Sequence, residues 1–295
     1  MRHADLALEA AKAAGRDRWH RYSSSMVHAV RIRHELRSHL MRALDEKTLV
    51  VEYQPIVDLA TSRPAGFEAL VRCLHPTRGM LSPVEFIDIA EESGLIVPIG
   101  EHVLTEAART ARSWSDPVGR DRPPYVSVNV SVRQFRSSGF LDAVKLALAQ
   151  ASLPPEQLVL EITESLLLRD DDTVWEDLKR LRDLGIRIAI DDFGTGYSNF
   201  AYLRRLPVHT LKLAGPFVDG LRAPGGDSVD EQIVETIIRL AHAIGISVTA
   251  EAVETRFQAD RLRALGCDTG QGWLFARPLR PADVTDLLRD ATPVG

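Results

Sequence analysis

Acidic residues recur at the ends of short apolar runs in this sequence. The stretch "IRIAIDDFGTGYSNF", residues 186–200, closes its apolar run with Asp191 and Asp192, and a glycine-rich turn follows at once. A carboxylate in such a place must be solvated, paired or bound to a cation, because an uncompensated buried charge is costly. Other runs also end in a polar residue, and the set of these residues is Glu68, Asn129, Glu161, Asp191, Lys212, Glu251 and Gln271.

These side chains have the chemistry of a divalent metal site. Carboxylate and amide oxygens without cysteine or histidine favour magnesium or manganese over zinc. Five acids, with Asp192 included, would repel one another unless cations were present, and two divalent ions together with Lys212 balance them. Two such ions about 3.5 to 4 Å apart can share a carboxylate, activate a water and hold a phosphodiester for attack. Asp191 is the candidate bridging ligand.

Each residue also has an ordinary explanation when it is taken alone. An aspartate after a strand often caps the next helix, a lysine is usually solvated at the surface, and an asparagine often lies in a turn. The shared placement of the set, across six runs, favours a functional role. Cys73, His75 and Cys267 are interpreted as structural, and Glu254 can equally be an acid at a helix start.

Eight short apolar runs could supply the strands that carry this set. Helical segments at residues 83–96, 141–151, 173–184 and 230–244 separate many of them, which is the alternation of a parallel α/β fold. Eight units over about 240 residues predict a TIM-type (β/α)8 barrel with an N-terminal helical lead-in. The runs are "LVVEYQPIV", "PAGFEALVR", "YVSVNVSV", "LVLEITE", "IRIAIDDF", "HTLKLAG", "ISVTAEAVE" and "QGWLFARP".

Alternation along the runs places the polar residues on one strand face. In a barrel that face points inward, and its last residue reaches the carboxyl end, where barrel enzymes keep their chemistry. Adjacent aspartates would point in different directions in a regular strand. The glycines Gly194 and Gly196 are therefore predicted to bend the chain until both Asp191 and Asp192 reach the metals.

Composition limits the classes of function. The chain has 295 residues, a formal net charge of -5 and 45% hydrophobic residues, which suits a globular protein and argues against a binder of nucleic-acid polymers. Its two cysteines have no disulfide or zinc spacing, which predicts a reducing, cytoplasmic setting. No apolar run approaches the roughly 20 residues that span a bilayer, so this chain has no predicted membrane segment.

From Leu49 to its end, the chain resembles EAL-domain cyclic di-GMP phosphodiesterases. The motifs that carry the resemblance are "FEALVR" at 67–72, followed by "HP", "SVNVS", "LEITES", "IDDFGTGYS", "LK", "AEAVET" and "QGWLFARPL". The resemblance implies a TIM-type barrel in which two magnesium or manganese ions cleave one phosphodiester of cyclic di-GMP to give linear pGpG. It also implies a homodimer, associated with the loop after Asp192.

Roles for individual residues follow from the same resemblance. The implied catalytic residues are Lys212, Glu251, Glu68 and Asp191, of which Lys212 contacts the attacking water. Glu164 would anchor the loop after Asp192. One metal would be held by Glu68, Asn129, Glu161 and Asp191, and the other by Asp191, Asp192 and Glu251. The implied substrate-binding residues are Gln54, Arg72, Gln271 and Glu254.

The N-terminal residues resemble a second family. "ADLALEAAKAAGRDR" is similar to the last helix of a GGDEF domain, which predicts that residues 1–48 are a remnant of such a domain plus a linker helix, and that residues 49–295 form the EAL barrel. The chain would then be a fragment of a tandem GGDEF-EAL protein. A neighbouring GGDEF domain would be its partner, and segments absent here could tether the parent to a membrane.

One departure from the family pattern bears on activity. After Lys212 the family usually reads Lys-Ile-Asp-Arg, whereas this chain has Leu213, Ala214 and Gly215. Loss of the second acid could leave the lysine and its water poorly oriented. The alternative function is therefore a weak or inactive EAL domain that acts as a cyclic di-GMP receptor. An interaction domain that has lost both properties is disfavoured by the intact acid set.

Overall fold

The computed structural model describes residues 24–114, 123–167, 172–194, 207–221 and 229–289. The chain divides into two compact units, and the division falls within the first two strands. The first unit contains residues up to 50 together with 72–96, and the second contains residues 51–71 and everything after 96.

Strands close into a barrel that carries the predicted polar set. Eight strands of the described residues form a ring in the order β1-β9-β8-β7-β6-β5-β4-β2, and the pairing of β1 with β2 closes it. This confirms the predicted α/β barrel. The strands are β1 (Leu49–Asp58), β2 (Arg63–His75), β3 (Gly79–Leu81), β4 (Tyr125–Val130), β5 (Leu158–Thr163), β6 (Arg187–Phe193), β7 (Thr210–Leu213), β8 (Ser247–Ala250) and β9 (Thr269–Gln271).

The barrel departs from the predicted parallel arrangement at its first strand. β1 runs antiparallel to β9, with Ile56 opposite Gln271, whereas β2, β4, β5, β6, β7, β8 and β9 pair parallel in that order. Only residues 59–62 connect β1 to β2, and a parallel pairing of neighbours needs a crossover of a dozen or more residues. Asp58 fixes this tight turn by accepting hydrogen bonds from the Thr61 amide and hydroxyl.

Helices cover the outer face of the barrel strands. In α9 the buried residues Val234, Ile237, Ile238 and Ala241 follow the helical repeat, and this helix contacts β8. The helices of the chain's described part are α1 (Ser24–Asp45), α2 (Pro83–Ser93), α3 (Ile96–Arg112), α4 (Val132–Phe135), α5 (Phe140–Ala151), α6 (Glu164–Leu167), α7 (Asp172–Asp183), α8 (Gly215–Asp219), α9 (Val229–Ala243), α10 (Arg256–Ala264) and α11 (Pro281–Arg289).

The first compact unit is built on α1, α2 and the pairing of β2 with β3. The predicted lead-in repeat is helical, and Leu36 and Leu40 are buried in α1. Arg33 of α1 forms an ion pair with Glu92 of α2 at 2.6 Å. Residues 1–23, on which the GGDEF resemblance rests, lie outside the described residues.

Several element boundaries differ from the sequence predictions. The run "QGWLFARP" was predicted as a strand, but β9 ends at Gln271 and the residues after it form a turn. The run "ISVTAEAVE" stops being a strand at Ala250, because Ala252 takes the left-handed backbone conformation (φ 52°). The single helix predicted at 83–96 ends earlier, at the left-handed Gly94 (φ 80°), and α3 begins at Ile96.

Among the residues that the structure describes, none of the helices has the length and apolar character needed to cross a membrane.

Candidate active site

Lys212 lies at the centre of the candidate site, buried inside the barrel. Its side chain is 2% exposed, and its ammonium group faces four carboxylates, which belong to β2, β5, β6 and the residue after β8. Alternation along β7 places Lys212 on the inner face, while its neighbours Leu211 and Leu213 are buried on the opposite face. The distances from Nζ are 2.6 Å to Glu161 Oε2, 2.7 Å to Glu251 Oε1, 3.0 Å to Asp191 Oδ1 and 3.7 Å to Glu68 Oε2.

The register of the parallel strands explains this convergence. Asn129 of β4 lies directly opposite Glu161 of β5, and Lys212 of β7 lies opposite Thr249 of β8. Glu251 follows the end of β8, where its amide donates a hydrogen bond to the carbonyl of Leu213. The predicted inner face is therefore confirmed, and its last residues meet at the carboxyl end of the barrel.

Amide side chains hold the carboxylate of Glu68 in place. Asn129 Nδ2 donates a hydrogen bond to Glu68 Oε1 at 2.5 Å, and Gln271 Nε2 donates one to Glu68 Oε2 at 2.6 Å. Gln271 Nε2 also donates to Gln54 Oε1 at 3.1 Å, and Gln54 Nε2 donates to the carbonyl of Ala276 at 3.2 Å. This chain of contacts orients Glu68, which is only 7% exposed.

The electrostatics of the cluster show an excess of negative charge. Burial raises the pKa of Glu161 well above its usual value, and the neighbouring Glu68 carboxylate raises it further, against the opposing effect of Lys212. Burial likewise raises the pKa of Glu251 to about 7. Burial alone would lower the pKa of Lys212, but the surrounding carboxylates, Glu161 first, raise it well above its usual value. One ammonium faces four carboxylates, so the site favours additional cations.

A β-bulge lies at the two adjacent aspartates, just before the first of the predicted glycines. The register between β6 and β7 shifts between Ile190 and Phe193, and Asp192 takes the left-handed conformation (φ 53°). Burial and the charge of Asp191 raise the pKa of Asp192, which also responds to the charge on Lys212. The bend therefore precedes Gly194 (φ 95°), and Gly196 lies outside the described residues.

A cavity of about 330 Å³ opens beside the carboxylates. Three of the four predicted substrate-binding residues line it, together with two of the predicted metal-binding acids. Other lining residues were not predicted from the sequence. The lining residues are Gln54, Glu68, Gly215, Glu251, Ala252, Glu254, Gln271, Gly272 and Trp273.

Two further predicted site residues, Arg72 and Glu164, are not among the residues that line the cavity. Arg72 lies on β2, in the stretch of that strand that belongs to the first compact unit, and is half-buried. Glu164 begins α6 directly after β5. The loop that Glu164 is predicted to anchor falls largely on residues 195–206, outside the described residues, so both roles stay predictions.

Ala214 and Gly215, which differ from the usual family sequence, lie next to the site. Ala214 is 1% exposed and precedes α8, and alternation puts it on the side of Lys212. Gly215 lines the cavity, and a Cβ atom there would lie 3.0 Å from the Cβ of Ala252. A side chain at position 215 would therefore meet Ala252 closely.

The oxygen-rich donor set fits divalent metal ions. Asp191 Oδ1 is buried, and its contact at 3.0 Å is with the Lys212 ammonium group, so this oxygen already faces a cation. In the described part of the chain, no three acidic, histidine or cysteine side chains are arranged with metal-ligand spacing. Four of the carboxylates instead lie within 4 Å of the Lys212 ammonium group.

Sequence reasoning missed Trp273 as a cavity residue. Because "QGWLFARP" was predicted as a strand, Trp273 was placed within a regular run, although its side chain is 61% exposed. The signal available was Gly272, because a residue without a side chain permits the backbone to pass closely at a turn. A Cβ atom at Gly272 would overlap the backbone of Val253.

Comparisons with known proteins agree with this geometry. The family described as EAL domain matches residues 37–278. An uncharacterized protein of Mycobacterium tuberculosis (strain H37Rv) is 45% identical over 277 residues, covering 92% of this chain and 88% of that protein. The bifunctional diguanylate cyclase/cyclic di-GMP phosphodiesterase MucR of Pseudomonas aeruginosa is 41% identical over 283 residues, which cover 96% of this chain and 40% of MucR.

A solved structure shares the fold. The PaMucR phosphodiesterase in complex with c-di-GMP superposes with a TM-score of 0.78 at 42% sequence identity. The match covers 85% of this chain and 99% of that one.

Proposed function

The chain belongs to the EAL domain family, and from this membership we propose that it is a metal-dependent phosphodiesterase that hydrolyses cyclic di-GMP to linear pGpG. The observation that carries the proposal is the buried cluster of four carboxylates around Lys212 beside an open cavity. A phosphodiester is anionic, so this cluster requires bound cations before it can accept such a substrate.

Two magnesium or manganese ions are the proposed cofactors, and the family is metal-dependent in general. Such ions supply a Lewis acid and an activated water. Glu68, Asn129, Glu161 and Asp191 would hold one ion, and Asp191, Asp192 and Glu251 the other. The amide contacts of Glu68 and the bulge at Asp192 orient these ligands before any ion binds.

Lys212 has two roles in the proposed mechanism. Without metal, its ammonium group balances part of the buried negative charge. With metal and substrate bound, it would donate a hydrogen bond to the attacking water and orient it toward the phosphorus. The hydrogen bond between Lys212 Nζ and Glu161 Oε2, at 2.6 Å, fixes the lysine for that role.

The substrate would lie in the cavity beside the acids. Gln54, Gln271 and Glu254 line it, which supports their assignment to substrate binding. Arg72 is proposed as a further contact with the dinucleotide, and Glu164 as the anchor of the loop after Asp192. We also propose that the chain forms a homodimer and works in the cytoplasm. In the parent protein it would adjoin a GGDEF domain, with the domain boundary at residue 48.

A receptor is the second candidate function, favoured by Ala214. A buried alanine stands where the family usually has an acid, so the lysine and its water could be held less well while metal and nucleotide still bind. The receptor would bind cyclic di-GMP tightly without turnover.

Nucleotide chromatography decides between the two functions. We expect pGpG to appear when the full chain is incubated with cyclic di-GMP and magnesium or manganese, and not in the metal-free control. A Glu68→Ala variant should lose turnover by about a hundredfold or more, because a metal ligand is removed. Intact cyclic di-GMP, together with tight binding in a titration, would favour the receptor. If the chain shows no turnover and no binding of cyclic di-GMP, both functions are excluded.

A further inference from the structure

The residue that follows Glu251 has a strained backbone. Ala252 takes the left-handed conformation, with a φ of 52°, and it lines the cavity. This conformation costs an alanine free energy because its Cβ atom approaches the following carbonyl oxygen, whereas glycine adopts it without that penalty. Strained residues cluster at functional sites, where the surrounding structure holds them and the geometry is used. Ala252 therefore calls for a functional explanation.

The strained residue changes the hydrogen-bond direction at the end of β8. In a regular strand, amides two residues apart point to the same neighbouring strand. Here the amide of Glu251 donates to the carbonyl of Leu213, on β7, at 3.1 Å, whereas the amide of Val253 donates to the carbonyl of Gln271, on β9, at 3.0 Å. The left-handed Ala252 between them therefore ties the end of β8 to both neighbouring strands.

The methyl group of Ala252 faces Gly215, the first residue of α8. A Cβ atom at Gly215 would lie 3.0 Å from the Cβ of Ala252. Carbon atoms pack best at about 3.5–4.0 Å, so two methyl groups at this separation would overlap. The two positions together have room for one methyl group, and this chain carries it on residue 252.

This methyl group lies between two segments that carry the chemistry of the site. Lys212 is three residues before Gly215, Glu251 is next to Ala252, and Lys212 Nζ lies 2.7 Å from Glu251 Oε1. A methyl group that fills the gap restricts the movement of the end of β8 against the start of α8, because close-packed groups transmit any displacement. Glycine at position 252 would remove this restriction and free the backbone.

We propose that Ala252 is a positioning residue, whose strained backbone and methyl group hold Glu251 in place for metal binding by packing the end of β8 against Gly215. This inference rests on the proposed function, in which Glu251 is a metal ligand. It adds a residue that touches neither metal nor the reacting atoms but determines the geometry of one that does.

Relief of the strain tests the inference. In the full chain, Ala252→Gly should lower kcat about tenfold and raise the Kd for manganese about tenfold, because Glu251 is no longer held. The KM for cyclic di-GMP should change less than kcat. Manganese binding would be measured without substrate, from the rise in Tm with manganese concentration. The urea midpoint should equal or exceed that of wild type, since glycine takes the left-handed conformation without strain.

An exchange of the two residues tests the methyl contact. Gly215→Ala alone should also lower kcat, because its methyl group would meet that of Ala252. Gly215→Ala combined with Ala252→Gly returns one methyl group to the gap from the opposite side. In this double variant kcat should recover to within about threefold of wild type, which is the coupling expected of two residues in contact.

Ser152→Gly is the matched control. Ser152 also has a left-handed backbone (φ 53°), but it follows the last residue of α5 and is not among the residues that line the cavity. The substitution relieves the same kind of strain at a different place. Its kcat and its Kd for manganese should equal those of wild type.

The possible outcomes separate this inference from the proposed function. If wild type makes pGpG but Ala252→Gly keeps kcat and the manganese Kd within about twofold, Ala252 positions nothing and the proposed function stands. A urea midpoint that falls together with kcat would show that Ala252 only stabilises the turn, which overturns the inference.

The other variants test its parts. Failure of the exchanged double variant to recover overturns the role of the methyl group, and an equal loss of kcat in Ser152→Gly overturns a local cause. If wild type neither binds manganese nor cleaves cyclic di-GMP, the proposed function fails and the inference fails with it.

Discussion

At the scale of single residues, Lys212 and Ala214 lie near the same strand end, but only Lys212 supplies a charge to the site. Lys212 supplies the only positive charge within 4 Å of Glu161 among the described residues, and removing one partner of such a buried pair typically costs about 3–5 kcal/mol. Ala214, two residues later, offers no charge at all. The site therefore keeps its central cation and the four carboxylates around it, but it lacks the further acid that the family usually has at position 214.

Restoring that acid should change turnover. We expect Ala214→Asp to raise kcat severalfold, because a carboxylate on the side of Lys212 would fix the ammonium group and its water. The same change should lower the free energy of unfolding by about 1–3 kcal/mol, because position 214 is 1% exposed and a carboxylate there loses water. The measurements are initial rates of pGpG formation and urea unfolding.

Ala214→Asn is the control for shape, because it adds a side chain of the same size without the charge. Its kcat should remain near that of wild type. Equal rates for Ala214→Asp and wild type would mean that the family departure is already compensated elsewhere in the site.

At the scale of elements, the end of β6 determines whether two adjacent acids can serve one site. The bulge places Asp192 in the left-handed region, and Gly194 follows with φ 95°. A Cβ atom at Gly194 would lie 2.5 Å from the ring of Phe217 on α8. The strand end and α8 are therefore packed so closely that only glycine fits.

Gly194→Ala should disturb the site through this contact. We expect a loss of about 2–4 kcal/mol in the free energy of unfolding, from the positive φ and the overlap with Phe217 together. Turnover should fall at least tenfold, because the end of β6 must move and Asp191 and Asp192 move with it. Urea unfolding and initial rates measure the two effects.

Gly245→Ala separates the two causes, because Gly245 also has a positive φ (80°) but nothing lies within 4 Å of its would-be Cβ. This variant should lose only about 1 kcal/mol of stability and keep its turnover. An equal loss of turnover in both variants would show that general destabilisation, rather than the position of the aspartates, is responsible.

The turn after β2 should make the stability of the chain sensitive to pH. Burial and the neighbouring His39 lower the pKa of His75 from its usual 6.5, and the amides of Thr77 and Arg78 donate to its Nδ1. Glu35 opposes this shift, while Arg78 and Arg42 add to it. The unfolded chain then binds more protons, so the stabilisation that a neutral His75 contributes is complete above pH 6.5 and is lost as pH falls from there through the lowered pKa.

His75→Asn should reduce this pH dependence, because the asparagine oxygen can accept the same amide hydrogens without titrating. We would compare urea midpoints at pH 7.5 and 5.5. His34→Asn, at an exposed position of α1, should keep the dependence of wild type. If His75→Asn loses as much stability in acid as wild type, other groups cause the loss.

At the scale of the whole molecule, metal ions bound at the barrel mouth would stabilise the fold. The formal net charge is -5, and four carboxylates share one ammonium at a single point. Ions that bind the folded state but not the unfolded one stabilise it by mass action. Metal binding should therefore be detectable in thermal unfolding even without substrate.

Manganese at about 100 times its Kd should raise the free energy of unfolding by about 2.7 kcal/mol. For a chain of this size we expect Tm to rise by about 5 °C or more. The shift should shrink strongly in Glu68→Ala, which loses a proposed ligand. A shift of equal size in wild type and in Glu68→Ala would show that manganese binds elsewhere.

The sequence alone predicted much of this protein, namely the barrel class, the inner strand face and the residues that meet at its mouth. These features follow from local rules, because alternation along a strand and the ends of parallel strands are properties of the chain itself. The antiparallel β1, the bulge at Asp191 and Asp192, and the turn that carries Trp273 were decided by tertiary structure. Each depends on a neighbour distant in sequence, such as β9, β7 or the backbone of Val253, and no local pattern contains that contact.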